Sequence, residues 1–186
     1  MRRRRFLTGA AALAPAAALQ NLMATLAHAQ APAASAAVHV VGSGEDRFGS
    51  PHSLGFSSIA FKVGTAETGG GLFVMEHAHL RPGGPPLHVH PYQEEWFYVM
   101  EGEVAFQVGD QQVKLGAGAS VLAPRAVPHT FSSVVESSRM LIGFCPAGKM
   151  EQYFRDAEQN TAAAATPEFM ERYDVKYVGP SPFWKK

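Results

Sequence analysis

Short apolar runs separated by Gly, Pro and Ser clusters follow one another along the chain from Val38 onward. Many short runs with turn signals at close intervals are typical of an all-β sandwich or barrel, not of a parallel α/β sheet. Helical spacing occurs only near the end, in residues 149–160 and in TPEFMERY, where Thr166 is the candidate N-cap. The predicted strands span residues 57–63, 71–80, 87–90, 95–102, 103–109, 111–116, 120–124, 128–134 and 138–145.

The run EWFYVMEG is apolar on both faces of its predicted strand. Because side chains alternate along a strand, Glu95, Phe97 and Val99 share one face and Trp96, Tyr98 and Met100 share the other. An apolar outer face needs cover from a helix or from a second subunit. We therefore expect a homodimer.

Residues 1–29 have the pattern of a bacterial export signal. MRRRRFLTG supplies the charged region, AAALAPAAAL the apolar region, and Ala27-His28-Ala29 the cleavage pattern. Arg-Arg-x-Phe-Leu within it resembles a twin-arginine signal, and an ordinary secretory signal is the alternative. We expect a periplasmic or secreted protein whose mature chain starts near Gln30, with a flexible linker over residues 30–45.

Composition excludes some functions and limits the use of cysteine. Without residues 1–29 the chain has 12 basic and 16 acidic residues. This excess of acidic residues gives no basic surface, so we do not expect nucleic-acid binding. Pro15 and the short apolar span argue against a stable membrane anchor. The single cysteine, Cys145, cannot form an intramolecular disulfide. Its place in an apolar run predicts a buried side chain, and a reactive or ligating thiol is the alternative.

Three histidines and a glutamate form a candidate metal site. His88 and His90 alternate on a strand, so their imidazoles point to one face. Glu95 follows after a short turn, and His129 comes two further strands along the chain. Such donors suit one divalent transition metal: Mn, Fe, Co, Ni, Cu or Zn. Taken alone, each histidine could equally be a surface residue or a hydrogen-bonded core residue.

The joint spacing resembles the cupin superfamily, in particular small single-domain, quercetinase-like bacterial cupins. One motif is HVHPYQEEWFYVMEG, and the other runs from Gly118 through Pro124 to His129. The resemblance covers roughly residues 56–145. It implies one copy of a cupin jelly-roll β-barrel over residues 46–148, with a C-terminal helical extension over residues 149–186.

Carried over residue by residue, the resemblance implies metal ligation by His88, His90, Glu95 and His129. Glu94 is the rival ligand, although the spacing to Gly102 favours Glu95. The sequence departs from the family pattern at turn positions: Gly83 lies one residue closer to His88 than usual, Ala126 stands where Gly is common, and Ser133 where Asn is common.

Two further features remain open at this stage. MEHAHL contains a second His-x-His, and alternation puts His77 and His79 on one face, as a pocket wall or as a solvent-facing pair. Arg125, near His129, could meet an anionic substrate or be a solvated charge at the rim.

The resemblance implies several functions, because one fold hosts many reactions. The first hypothesis is a dioxygenase that acts on a phenolic, flavonoid-like or enolic small molecule, with Glu95 as the catalytic proton acceptor. Phe97, Phe106 and Phe131 would line the substrate pocket or simply form the core. The alternatives are a non-redox isomerase, lyase or decarboxylase, and a non-catalytic periplasmic cupin that binds a metal or a small ligand.

Overall fold

The computed structural model describes residues 38–184, which contain eleven strands, two α-helices and one 3-10 helix (Thr65–Thr68). The strands are β1 (His52–Ser53), β2 (Ser58–Val63), β3 (Phe73–Leu80), β4 (Leu87–Val89), β5 (Glu94–Glu101), β6 (Glu103–Val108), β7 (Gln111–Gly116), β8 (Ser120–Ala123), β9 (His129–Ser133), β10 (Ser138–Cys145) and β11 (Lys176–Gly179). The helices are α1 (Met150–Gln159) and α2 (Pro167–Glu171). The predicted export signal and residues 30–37 of the predicted linker lie outside the described residues.

The strands form two antiparallel sheets with the strand orders β1-β2-β3-β10-β5-β8 and β11-β4-β9-β6-β7. Strands β1-β2-β3 and β6-β7 are consecutive in the chain, but β10 pairs with β3 and β5, and β9 with β4 and β6. Such pairing of distant strands is typical of a jelly roll, where the chain passes between two facing sheets. The predicted all-β jelly-roll fold is confirmed. The two sheets remain separate and do not close into one continuous barrel.

Alternation along the strands determines which side chains enter the core. On β5, Phe97 and Val99 are buried between the sheets, whereas Trp96 lies on the outer face and is 39% exposed. The same rule places Phe144 of β10 inside and therefore Cys145 outside, so the prediction of a buried cysteine was wrong. The homodimer remains a prediction.

The C-terminal segment is part of the jelly roll as well as a helical extension. Helix α1 buries Met150, Phe154 and Ala157, which gives it an apolar face toward the sheets. The Thr166 side chain accepts a hydrogen bond from the backbone N–H of Phe169 (3.3 Å) and so caps α2. Beyond α2, β11 pairs with β4, a strand that the helical reading of residues 149–186 did not include. Within residues 38–184, no helix combines the length and apolar character needed to cross a membrane.

The loop before β4 passes against the backbone of β9 at Gly84. A Cβ atom at this position would lie 1.9 Å from the carbonyl oxygen of Phe131, and Gly84 has a φ of +81°. The indole N–H of Trp184 donates to the carbonyl oxygen of Gly84 (3.2 Å), so the loop is held on its other side as well. Only glycine fits here without displacing backbone.

We expect Gly84→Ala to lower the free energy of unfolding by about 3 kcal/mol, because it adds backbone strain and a steric clash. Urea unfolding followed by circular dichroism measures this change. Gly116→Ala is the matched control, since Gly116 has no positive φ and no atom near its Cβ position. Equal unfolding midpoints for the two variants would contradict the expectation.

Candidate metal centre

The two sheets bring four polar side chains together in the interior. His88 of β4 stands directly opposite His129 of β9 in one sheet, and His90 follows two residues after His88. Glu95 comes from β5 in the facing sheet. All four side chains are buried, and one ligand atom from each lies within 4.8 Å of the others. The structure thus places the four predicted ligands in one cluster, the His3Glu cluster.

One carboxylate oxygen is the centre of this cluster. Oε2 of Glu95 lies 2.7 Å from Nε2 of His129, 3.1 Å from Nε2 of His90 and 3.9 Å from Nε2 of His88. The three imidazoles surround it, with ring centroids 4.5 to 5.4 Å apart. Every histidine therefore presents Nε2 to the same small volume.

Backbone carbonyls determine how two of these imidazoles are oriented. Nδ1 of His88 lies 2.8 Å from the carbonyl oxygen of Pro86, and Nδ1 of His129 lies 2.9 Å from that of Val127. A carbonyl can only accept, so both Nδ1 atoms carry a proton and donate. When such a ring is neutral, its Nε2 lone pair is free to bind a metal, as in most histidine-ligated sites.

His90 differs from its neighbours. Its Nε2 approaches Glu95 at 3.1 Å, but the alignment is too poor for a hydrogen bond, and neither ring nitrogen has a partner although both are buried. Buried polar atoms without a partner are uncommon and need an explanation. A cation bound by Nε2 of His90 would supply one.

The electrostatics of the cluster favour a positive charge within it. Burial raises the pKa of the Glu95 carboxyl, but contacts with His129 and His90 outweigh that effect and hold the pKa below its usual range. Burial lowers the pKa of His129, yet the hydrogen bond and charge of Glu95 raise it overall. Burial and the two neighbouring imidazoles lower the pKa of His88 to about 3. A buried carboxylate beside imidazoles thus offsets its charge with a proton or a cation.

The residues fit the metal that the sequence implied. Three neutral imidazoles and one ionised carboxylate are the donor set of a first-row divalent transition metal. Ligand atoms that bind one ion at about 2.1 Å lie within about 4.2 Å of each other. All three contacts of Oε2 of Glu95 are shorter than this limit. The His3Glu cluster could hold one metal ion, and this donor set does not select among Mn, Fe, Co, Ni, Cu and Zn.

Glu94, the rival ligand, lies away from the cluster. It forms a two-point ion pair with Arg125, whose Nε and a terminal nitrogen donate to its two carboxylate oxygens at 2.6 and 2.7 Å. Both side chains are on the surface, and Arg125 is half exposed. Alternation on β5 explains the difference, because adjacent residues point to opposite faces.

The turn before β9 is tied to the cluster through its backbone. Ala126 donates its N–H to the carbonyl oxygen of His90 (2.9 Å) and has a φ of +59°. This left-handed conformation is one that glycine adopts without strain. This conformation explains why glycine is common at this position in the family pattern. Ala126 adopts the same left-handed conformation in this chain.

A cavity of about 170 Å³ lies beside the His3Glu cluster, and His88, His90 and Glu95 form part of its wall. The remaining wall is mostly apolar and comes from both sheets and from α1, including Met75, Phe131, Ile142, Met150 and Phe154. Tyr153 of α1 also lines it and donates to the carbonyl oxygen of Ala164 (2.9 Å). No lysine or arginine lines this cavity among residues 38–184.

Only one of the three predicted pocket phenylalanines lines the cavity. Phe131 does so, whereas Phe97 and Phe106 do not, and their assignment to the pocket is corrected here. Phe97 packs against Phe106 (centroids 5.2 Å apart) and against Phe131 (5.5 Å). These two rings fill the core behind Phe131, since the cavity extends toward β2, β3 and the C-terminal helices. Strand alternation identified their inward direction but not their depth.

The second His-x-His does not form a pair on one face. His77 is buried and lines the cavity, while His79 is exposed and has a φ of +54°. A register shift between β3 and β10 at Ser138/Met140 accompanies this conformation and breaks the alternation. His77 thus occupies one of the two positions that the sequence left open for it, a pocket wall, whereas no sequence pattern indicated Tyr153 as a cavity residue. The apolar residues that precede His77 in FVMEHAHL were the sequence signal for an inward position.

We expect Glu95→Gln to weaken Zn²⁺ binding at least about 100-fold, since it removes the only charged ligand while preserving side-chain shape. Competition against a chromophoric chelator measures the dissociation constant. Glu94→Gln is the matched control and should bind Zn²⁺ like the wild type, because Glu94 pairs with Arg125 on the surface. Loss of affinity in the control alone would mean that Glu94 is the ligand.

We expect the metal-free protein to lose stability between pH 7.5 and 5, partly through His77. Burial lowers the pKa of His77 to about 4, whereas the unfolded chain takes up this proton near pH 6.5. In this window the unfolded state binds more protons, so the free energy of unfolding falls as the pH decreases. His77→Phe should reduce the fall by about 2 kcal/mol. Urea unfolding at both pH values, with a chelator present, measures it.

His79→Asn is the control for this experiment, because it removes the exposed histidine of the same strand and asparagine tolerates a positive φ. It should retain the wild-type pH dependence. If His77→Phe also retains it, His77 does not contribute in the way described.

Comparison with known proteins agrees with the geometry. Residues 76–142 match the family model described as a cupin domain. Over 54 residues the chain is 33% identical to an uncharacterized protein, SCO3923, of Streptomyces coelicolor, a match that covers 29% of this chain and 51% of that protein. The chain thus spans about half the length of the curated relative that it matches.

Two solved structures are similar to this chain at low sequence identity. An RmlC-like cupin from Shewanella frigidimarina has a TM-score of 0.51 and 18% identity, over 62% of this chain and 96% of that one. KdgF from Halomonas sp. has a TM-score of 0.45 and 18% identity, over 49% of this chain and 79% of that one. Residues 76–142 thus match a cupin domain, and the two facing antiparallel sheets have the fold of the RmlC-like structure.

Proposed function

We propose that this cupin is a metal-dependent dioxygenase whose substrate is a small, uncharged phenol or enol. The observation that carries the proposal is the position of the His3Glu cluster, which forms one part of the wall of an otherwise largely apolar cavity. An aromatic ring fits the apolar wall, and its oxygen would reach the cluster.

The size of the cavity supports a substrate with one ring. The cavity has a volume of about 170 Å³. In another protein, an engineered apolar cavity of about 150 Å³ binds benzene. A three-ring flavonoid is larger than this space, so the proposal is narrower than the flavonoid-like class that the resemblance implied.

The charge of the cavity supports a neutral substrate. Among the described residues, no lysine or arginine lines the wall. A dicarboxylate would therefore enter an apolar space without a cationic side chain to replace its hydration. A phenol loses less hydration on entry. This difference favours the phenolic substrate over the acid substrate of a decarboxylase.

A bound transition metal would supply the redox and Lewis-acid chemistry of the reaction. The residues of the chain orient the substrate, exclude water and move a proton. Glu95 makes its contacts with the histidines through Oε2, and within residues 38–184 its Oε1 has no hydrogen-bond partner. Oε1 is therefore the atom assigned to accept the proton of the substrate hydroxyl. Met150, Tyr153 and Phe154 of α1 cover the cavity and limit the access of water.

The experiment is oxygen consumption by the purified protein loaded in turn with Mn²⁺, Fe²⁺, Co²⁺, Ni²⁺, Cu²⁺ or Zn²⁺. Catechol, hydroquinone and a small enol serve as substrates. We expect oxygen uptake with at least one redox-active metal and none with Zn²⁺, which has no redox chemistry.

Equal product formation under strict anaerobiosis, or with Zn²⁺, would overturn the proposal in favour of a non-redox isomerase, lyase or decarboxylase. Tight binding of a substrate without turnover under any metal would favour a binding cupin. Both outcomes are separated from simple misfolding by circular dichroism of the same samples.

A further inference from the structure

We propose that His77 is a second recognition residue of the cavity, whose Nε2 accepts a hydrogen bond from a hydroxyl group of the ligand. The inference rests on the proposed phenolic function and makes its substrate class narrower. The ligand carries two oxygen groups, one for the His3Glu cluster and one O–H for His77.

His77 is buried in the cavity wall but lies outside the His3Glu cluster. It is on β3, opposite Ile59 of β2 and Met140 of β10, and its side chain is 1% exposed. Its ring lies parallel to that of Phe56 (centroids 6.2 Å apart) and edge-on to that of Phe131 (5.6 Å). All three rings line the cavity, so His77 is a polar group within an aromatic wall.

Ser57 determines which nitrogen of His77 carries the proton. Oγ of Ser57 lies 2.8 Å from Nδ1 of His77. Its other two neighbours are the carbonyl oxygens of Ser58 (3.0 Å) and Ala78 (3.3 Å), which can only accept. We assign the single hydroxyl proton of Ser57 to one of these carbonyls, so that Oγ accepts the proton of Nδ1. In a neutral ring this arrangement leaves Nε2 as an acceptor.

Nε2 of His77 is the unsatisfied atom. It is buried and has no hydrogen-bond partner among the described residues. Burial also lowers the pKa of His77 to about 4, so the ring is neutral at neutral pH. A buried acceptor without a partner is unfavourable, and a hydroxyl group in the cavity would satisfy it. A ligand with the same shape but without that O–H would leave it unpaired.

The chemistry of the wall gives the ligand class. The wall of the cavity offers the His3Glu cluster and the neutral acceptor of His77, and most of the remaining wall is apolar. A single ring or a short unsaturated chain with two hydroxyl groups matches this pattern. A dihydroxybenzene is the simplest such molecule.

The first test is the protonation state of His77 in the full-length, zinc-loaded protein. Nitrogen-15 chemical shifts of the histidine rings show which nitrogen carries the proton. We expect a proton on Nδ1 and none on Nε2. A proton on Nε2 would overturn the inference, because that atom would then donate and not accept.

The second test compares ligands that differ in one hydroxyl. The zinc-loaded protein is titrated with catechol, resorcinol and hydroquinone and with the monomethyl ether of each, so that binding is measured without turnover. We expect at least one dihydroxybenzene to bind about tenfold more tightly than its monomethyl ether, as for the loss of one buried hydrogen bond. His77→Phe should abolish this preference.

Two serine variants test the role of His77 independently, in case His77→Phe alters the shape of the cavity. Ser57→Ala leaves the imidazole in place but removes the acceptor for Nδ1, and should reduce the preference. Ser133→Ala is the matched control, since Ser133 is a buried serine that hydrogen-bonds with Val135 and Ser138 and does not line the cavity. It should retain the full preference.

The outcomes separate this inference from the proposed function. Equal binding of both members of every ligand pair, or an unchanged preference in His77→Phe, would overturn the role of His77 and leave the dioxygenase proposal standing. A clear preference for the dihydroxybenzenes without oxygen uptake with any of the metals would support the role of His77 and overturn the dioxygenase proposal. Failure of every phenol to bind would overturn both.

Discussion

The buried carboxylate of Glu95 is the constraint on which the rest of the site depends. An ionised group between two sheets is unfavourable unless cations or hydrogen-bond donors surround it. Here the facing sheet supplies three imidazoles, of which His88 and His129 stand opposite each other on paired strands. The contact therefore joins the two sheets at the same point where it assembles a metal-ligand set. Backbone carbonyls that hold Nδ1 of these two histidines complete the arrangement.

The cavity beside the His3Glu cluster limits which ligands the site can accept. Its wall is largely apolar, and the C-terminal segment, which includes α1, covers it. In such an environment each polar group has more influence on which ligand is accepted, because water is not available to replace a lost partner. The His3Glu cluster and the neutral imidazole of His77 are the polar features of this wall that carry the proposed recognition of a ligand. The absence of lysine and arginine from the described wall favours ligands without charge.

Much of the fold and of the cluster could be predicted from local patterns, and the failures have identifiable causes. The nine predicted strands correspond to β2–β10, because alternation and turn residues act over a few positions. Phe97 and Phe106 were placed at the pocket because alternation gives the direction of a side chain but not its depth between the sheets. The shared face of His77 and His79 failed at an irregular position of β3, which no single-strand pattern reveals. β11 was missed because its pairing with β4 is a contact between distant segments.

The sequence by itself determined the strands and the three clustered histidines, and it limited the fourth ligand to Glu94 or Glu95, since these follow from period-two alternation and from spacing within two motifs. Only the tertiary structure decided which glutamate meets the histidines and which pairs with Arg125 on the surface. It also decided that His77 faces the cavity and that Ser57 orients it, and it set the volume of the cavity. These properties depend on the distance between segments that are far apart in the chain. Such distances are fixed by the packing of the two sheets and the C-terminal helices.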